Sequence, residues 1–136
     1  MGARSELEAN FDFDIVDEFL DHYTLMSESM ELLVLDLAKE NMYKRSVEEL
    51  FRVFHNIKSA SGFLHLEPIY KLAGFVEDLM EELRKKDTPA NDDTINWLLS
   101  ISDMFALWAN DLQEDKELTP IKFSLLKIPD IDAKRA

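Results

Sequence analysis

Apolar residues recur at spacings of three and four along most of the chain, which is the period of an amphipathic α-helix. Four such stripes are separated by short polar segments, and only three glycines and four prolines occur among the 136 residues. Each stripe is wide enough to face a shared core. The pattern therefore predicts an all-α protein, an antiparallel four-helix bundle.

The first predicted helix runs from about residue 14 to residue 39, and Asn41 closes it. The second has two possible starts, because Ser46 and Glu49 have the spacing of a capping box whereas the helix can also begin nearer Met42. The positions of the core stripes are Val16, Phe19, Leu20, Tyr23, Met26, Met30, Leu33 and Leu37 on the first helix, and Val47, Leu50, Phe51, Phe54, Ile57, Ser61 and Leu64 on the second.

The third predicted helix begins near Pro68, which suits a first helical turn because its missing N–H has no partner to lose there. The segment "KKDTPANDDT" ends it, and residues 91–93 offer caps for a fourth helix. The apolar positions are Ile69, Leu72, Ala73, Val76, Leu79, Met80 and Leu83 on the third helix, and Ile95, Leu98, Ile101, Phe105, Trp108 and Leu112 on the fourth.

The two ends of the chain lack a long stripe. We predict a flexible N-terminus over residues 1–11, the bundle over residues 12–113, and a C-terminal extension or linker over residues 114–136. Pro120 and Pro129 bracket an apolar piece of that extension, which predicts either a short fifth helix or an extended strap over the bundle. Trp97 and Trp108 are expected to pack rather than to bind a ligand.

Composition narrows the possible functions. The formal net charge is −13, and such an acidic surface repels nucleic acid and anionic lipid. The chain has no cysteine for disulfides or thiolate metal sites, and no apolar run approaching the roughly 20 residues of a membrane span. No secretion signal is evident at the start. We expect a cytoplasmic monomer that does not insert into membranes.

His55 interrupts the second helix in the stretch "FHNIKSASGFLHLEP". It is either a core histidine with a satisfied hydrogen bond or a reactive imidazole around which space has been cleared. His55 lies about 100° from Phe54, on a stripe that is polar and then small. A buried histidine is expected among larger apolar neighbours, so this stripe favours the bundle surface. Its members are Glu48, Arg52, His55, Ser59 and Gly62.

The hairpin between the second and third helices brings a carboxylate to His55. If the chain turns around Leu66, His55 and Glu77 are each eleven positions from the turn, about 16 Å along either helix. A carboxylate that accepts the Nδ1 proton leaves the Nε2 lone pair free and stabilises positive charge on the ring. Lys58 lies one turn after His55 and can attract an incoming phosphoryl group. The set indicates a phosphoryl acceptor.

These residues also resemble a family. The stretch "FHNIKSASGFLHLEPIYKLAGFVEDL" resembles the histidine phosphotransfer (HPt) domain of phosphorelays, including the phosphorylated N-terminal domain of chemotaxis-type histidine kinases. The resemblance covers residues from about 12 to 113. It implies that His55 takes a phosphoryl group on Nε2, that Lys58 steadies it and that Glu77 holds Nδ1. A glutamate at position 77 is similar to the chemotaxis-kinase branch.

Three positions depart from the family pattern. Ser59 replaces the usual glycine, which still leaves room for a partner. His65 stands where a turn glycine is common, and Gly74 stands where the chemotaxis branch often has a second histidine. The resemblance implies a receiver domain that docks over Arg52, Ser59 and Gly62.

The resemblance implies partners rather than cofactors: a sensor histidine kinase upstream, and downstream a response-regulator receiver whose aspartate needs Mg²⁺. The sequence has no Gly-rich phosphate loop and no aspartate cluster for Mg²⁺, so we expect a phosphoryl carrier and not an enzyme with its own nucleotide or metal site. It would act alone or as one domain of a larger histidine kinase. The alternative is a helical adaptor that is never phosphorylated. A di-iron bundle is rejected, because no Glu-x-x-His occurs.

Overall fold

The computed structural model describes residues 2–133, which contain helices and no strands. Helices α2 to α5 form the bundle: α3 packs along α4, and α2 packs against both α3 and α5. The predicted all-α four-helix bundle is confirmed, with one additional short helix before it. The helices are α1 (Ala3–Asn10), α2 (Phe13–Asp36), α3 (Tyr43–Phe63), α4 (Glu67–Arg84) and α5 (Asp92–Gln113).

The four predicted stripes face one core. Its centre is aromatic: the Phe105 ring contacts Tyr23, Phe54 and Trp108, and all four side chains are almost completely buried. The Tyr23 hydroxyl donates a hydrogen bond to the Phe105 carbonyl at 2.7 Å. Burial raises the pKa of Tyr23 well above its usual value, with a further contribution from Asp111, so the phenol stays neutral. No helix in residues 2–133 has the length and apolarity that crossing a bilayer requires.

Two predicted helix starts are confirmed. Pro68 lies in the first turn of α4. The Asn91 side chain caps α5 by accepting a hydrogen bond from the Thr94 backbone N–H at 2.8 Å. Both signals act within the first turn of the helix.

The predicted helix start with a capping box at Ser46 is wrong. Helix α3 begins at Tyr43, after Met42, as the alternative start predicts. Ser46 is buried inside the helix, and Glu49 pairs with Arg52 instead of reaching back to a helix terminus. The Tyr43 side chain is only 6% exposed, and its burial favours continuing the helix one turn further back.

The turn between α3 and α4 is a Schellman motif. The Leu66 N–H donates to the Ser61 carbonyl at 2.9 Å, and the His65 N–H donates to the Gly62 carbonyl at 3.2 Å. His65 has a φ of 59°, the left-handed conformation that favours glycine. The turn therefore keeps the shape expected of a glycine in spite of the histidine.

Replacing His65 with glycine is expected to stabilise the protein by about 0.5–1 kcal/mol, because glycine removes the left-handed strain but increases the entropy of the unfolded chain. Urea denaturation measures the difference. A His65→Ala variant is the control, since alanine retains the strain and should not stabilise. Equal stabilities of His65→Gly and the unchanged protein would show that the strain is already relieved.

The N-terminus differs from the predicted flexible segment over residues 1–11, because α1 occupies most of it. Ala3 and Leu7 are buried, and the Ala3 N–H donates to the Lys116 carbonyl at 2.9 Å. The Asp115 carboxylate accepts from both the N–H and the hydroxyl of Ser5. Helix α1 is thus held by the segment that follows α5. The sequence pattern of eight residues does not reveal these contacts.

The C-terminal extension is a strap with one 3-10 turn (Phe123–Leu126). Both tryptophans pack in the core, as predicted, and their indole N–H groups also hold the strap. Trp108 donates to the Thr119 carbonyl at 2.7 Å, and Trp97 donates to the Leu125 carbonyl at 3.0 Å. Leu125 is buried. The strap is therefore part of the packed structure along α5.

Candidate functional site

His55 lies at the surface of the bundle, on the side of α3 that faces α4. Its side chain is 55% exposed. The interpretation as a buried core histidine is therefore wrong, and the predicted surface stripe on α3 is correct.

Glu77 reaches His55 from α4, as the count from Leu66 predicts. Its Oε1 lies 2.5 Å from His55 Nδ1, and its Oε2 accepts a hydrogen bond from Lys58 Nζ at 3.0 Å. The Glu77 side chain is only 10% exposed, whereas both partners remain accessible to water. One carboxylate thus holds the imidazole and the ammonium with separate oxygens.

The charges of this cluster determine which imidazole nitrogen carries the proton. Burial raises the pKa of the Glu77 carboxyl, but hydrogen bonds from His55 and Lys58 outweigh burial and lower that pKa below its ordinary value. The hydrogen bond to Glu77 also raises the pKa of Lys58. An ionised carboxylate only accepts hydrogen bonds, so Nδ1 of a neutral ring carries the proton. Nε2 then has a free lone pair with which it can attack an electrophile.

The aliphatic stem of Lys58 lies beside Gly74 of α4. A Cβ on Gly74 would be 3.6 Å from the Lys58 Cδ, an ordinary contact distance. The aliphatic part of Lys58 therefore runs over α4 at the position where the chemotaxis branch often has a second histidine. This path brings the Lys58 ammonium to Glu77.

Two further side chains extend the site and were missed from the sequence. The Phe51 ring lies nearly parallel to the His55 ring, with 6.1 Å between centroids and 10° between planes. The Arg84 guanidinium lies over the Phe51 ring at 4.3 Å. Phe51 appears in the sequence as one more apolar position. Its spacing of four from His55 places the two rings on one face of α3, whereas its contact with Arg84 depends on the pairing of α3 with α4.

The predicted docking residues differ in accessibility. Ser59 is exposed, and exposed Arg52 pairs with Glu49 at 2.7 Å. Gly62 is partly exposed, and a Cβ there would lie 2.9 Å from the Tyr70 ring. Its small size makes room for Tyr70 beside α3, and the docking role of Gly62 stays a prediction.

A groove between α2 and α3 lies beside the exposed stripe. Its volume is about 300 Å³, and its lining includes Ile15, Phe19, Met26, Asn56, Ala60 and Phe63. Phe63 is 62% exposed. The groove requires side chains from two helices, so the pattern of one helix does not predict it. No three His, Asp or Glu side chains within residues 2–133 are grouped as metal ligands.

Comparison with known proteins gives a match to a family model and matches to curated proteins. Residues 14–115 match the family model described as Hpt domain. Over 91 residues the chain is 28% identical to the chemotaxis protein CheA of Salmonella typhimurium (strain LT2), which covers 67% of this chain and 14% of that protein. The chain thus spans a small part of the length of this relative. No solved structure matches the chain.

Proposed function

The chain belongs to the Hpt domain family, a family of phosphotransfer signalling modules, and on this premise we propose that His55 accepts a phosphoryl group on Nε2 and exchanges it with the aspartate of a receiver domain. The observation that carries the proposal is the 2.5 Å contact of His55 Nδ1 with the buried Glu77 carboxylate. It leaves the other nitrogen of a half-exposed ring available to a partner.

The transfer uses a simple exchange of bonds. The Nε2 lone pair attacks phosphorus while the bond from phosphorus to the leaving oxygen of ATP breaks within a partner kinase. Positive charge that develops on the ring is stabilised by ionised Glu77. In the second step an aspartate oxygen of the receiver attacks phosphorus, and the N–P bond breaks with its electron pair returning to Nε2. The chain acts as a carrier without a cofactor, and Mg²⁺ belongs to the receiver.

The direct test follows the phosphoryl group. The protein is incubated with a chemotaxis-type histidine kinase and labelled ATP, and then with a receiver domain and Mg²⁺. We expect a label that is labile to acid and stable to base, and its loss from the chain as the receiver gains it. An adaptor that only binds partners would acquire no label under any of these conditions.

Receiver docking is expected to depend on the open surface around Ser59. A Ser59→Trp substitution should weaken receiver binding at least tenfold, because the indole would project where the receiver must approach Nε2, while stability should hardly change at this exposed position. Isothermal titration calorimetry measures the binding. The control is Ser100→Trp, at an exposed position on α5. Unaltered binding by Ser59→Trp would locate the receiver elsewhere.

A further inference from the structure

We propose that Phe51 is a positioning residue for the imidazole of His55, and that Arg84 holds Phe51 in place. This inference rests on the proposed function, because it concerns the direction in which the ring presents Nε2. The hydrogen bond to Glu77 restrains His55 at a single atom, Nδ1. A half-exposed ring that is fixed at one atom can still tilt about that point.

The flat face of Phe51 restricts this tilt. Phe51 precedes His55 by four positions, so the two side chains are neighbours on one face of α3. Their planes differ by only 10°, with the 6.1 Å centroid separation of an offset pair. The Nε2 lone pair lies in the plane of the imidazole, and a fixed plane therefore fixes the line along which phosphorus must approach.

Arg84 restrains the Phe51 ring. Its guanidinium carbon lies 4.3 Å from the Phe51 ring centroid, a cation–π contact. Arg84 Nε donates to Glu48 of α3 at 3.0 Å, and Nη1 lies 3.3 Å from Glu81 of α4. Glu48 precedes Phe51 by three positions and His55 follows it by four, so Phe51 lies between the arginine and the imidazole along α3. Both helices thus contribute to holding the ring.

Reactivity with a small phosphoryl donor isolates this role from partner docking. With phosphoramidate, the Nε2–P bond forms while the P–N bond of the donor breaks and ammonia leaves. We expect Phe51→Leu, which keeps apolar volume but lacks a flat face, to lower the maximum rate constant by about two- to tenfold, the range that corresponds to one aromatic pair. The half-saturating concentration of phosphoramidate should not change, because Phe51 is not expected to touch the donor. Phe51→Tyr should restore the rate.

Nuclear magnetic resonance shows whether the Phe51 and His55 rings lie together in solution. In Phe51→Leu the ring-current contribution to the His55 Hδ2 and Hε1 shifts should disappear, while the ¹⁵N shifts should still report a protonated Nδ1. The matched control is Phe75→Leu, since Phe75 is a partly buried aromatic residue of α4 whose ring partner is Trp97. It should label at the unchanged rate.

The outcomes separate this inference from the proposed function. Labelling of the unchanged protein anywhere other than His55 refutes the proposed function. Normal labelling at His55 with equal rate constants for Phe51→Leu and the unchanged protein overturns the positioning role alone. If Phe51→Leu does not fold, the Arg84→Met variant tests the inference instead. It keeps Phe51 but removes the guanidinium that lies over its ring, and it should slow labelling of His55. An unaltered rate constant in Arg84→Met would then overturn the inference.

Discussion

Replacing His55 with glutamine is expected to reduce phosphorylation to background. The amide of glutamine can still donate a hydrogen bond to Glu77, and the half-exposed position tolerates the change in shape. The amide nitrogen is not a nucleophile, however, because its lone pair is delocalised into the carbonyl. Thermal stability should therefore stay close to that of the unchanged protein while the acid-labile label disappears. Incubation with kinase and labelled ATP, followed by acid and base treatment, measures this.

A second histidine variant makes the result specific. The chain has three histidines, and His65 lies at the turn after α3 rather than on the exposed stripe. His65→Gln should label fully under the conditions in which His55→Gln does not. Full labelling of His55→Gln would place the acceptor on another residue, and mass spectrometry of the intact phosphoprotein at neutral pH would then identify it.

The sequence could predict the pairing of His55 with Glu77 because that pairing depends on few quantities. Two helices joined by a short turn run side by side, so residues equidistant from Leu66 meet. The helical period identifies the exposed stripe, and the resemblance to the Hpt family supplies the chemistry. The contact of His55 with Glu77 at 2.5 Å agrees with that count.

Other features depend on side chains that cross between elements, and they could not be predicted. A small residue such as Gly62 can leave room for a partner or for a neighbouring ring, and its contact with Tyr70 depends on how α3 and α4 pack together. Helix α1 has just eight residues, too few for its period to be recognised, and contacts with the segment after α5 hold it. Ser46 carries a local capping signal that the burial of Tyr43 overrides.

Glu77→Ala is expected to slow phosphorylation of His55 by about 10- to 100-fold, the range found when a metal-binding imidazole loses the carboxylate that orients it. Without the carboxylate, Nδ1 has no acceptor that favours its protonation, and a ring protonated on Nε2 has no lone pair there for attack. The developing imidazolium also loses its nearby negative charge. Rates with phosphoramidate, together with the ¹⁵N shifts of the His55 ring, measure both effects.

Glu77→Gln is the matched control, because the two oxygens of Glu77 serve different partners. A glutamine oxygen can accept from His55 Nδ1, but its NH₂ group would then face the Lys58 ammonium, which accepts no hydrogen bond. We expect an intermediate rate, with Nδ1 still protonated. An unaltered rate and unaltered ¹⁵N shifts in Glu77→Ala would mean that the carboxylate has no role in the reaction.

The stability of the same variant should depend on pH in a defined direction. Because hydrogen bonds from His55 and Lys58 outweigh burial, the pKa of Glu77 in the folded state lies below its ordinary value of 4.5. The ionised carboxylate therefore favours folding above that pH, and this contribution is lost as the pH falls through the folded-state pKa. At pH 7, Glu77→Ala should cost only about 1 kcal/mol, because His55 and Lys58 remain accessible to water when their partner is removed. Urea denaturation should show the stabilities of the two proteins converging as the pH falls below 4.5. A gap that stays constant down to pH 3 would show that Glu77 contributes through packing and not through its charge.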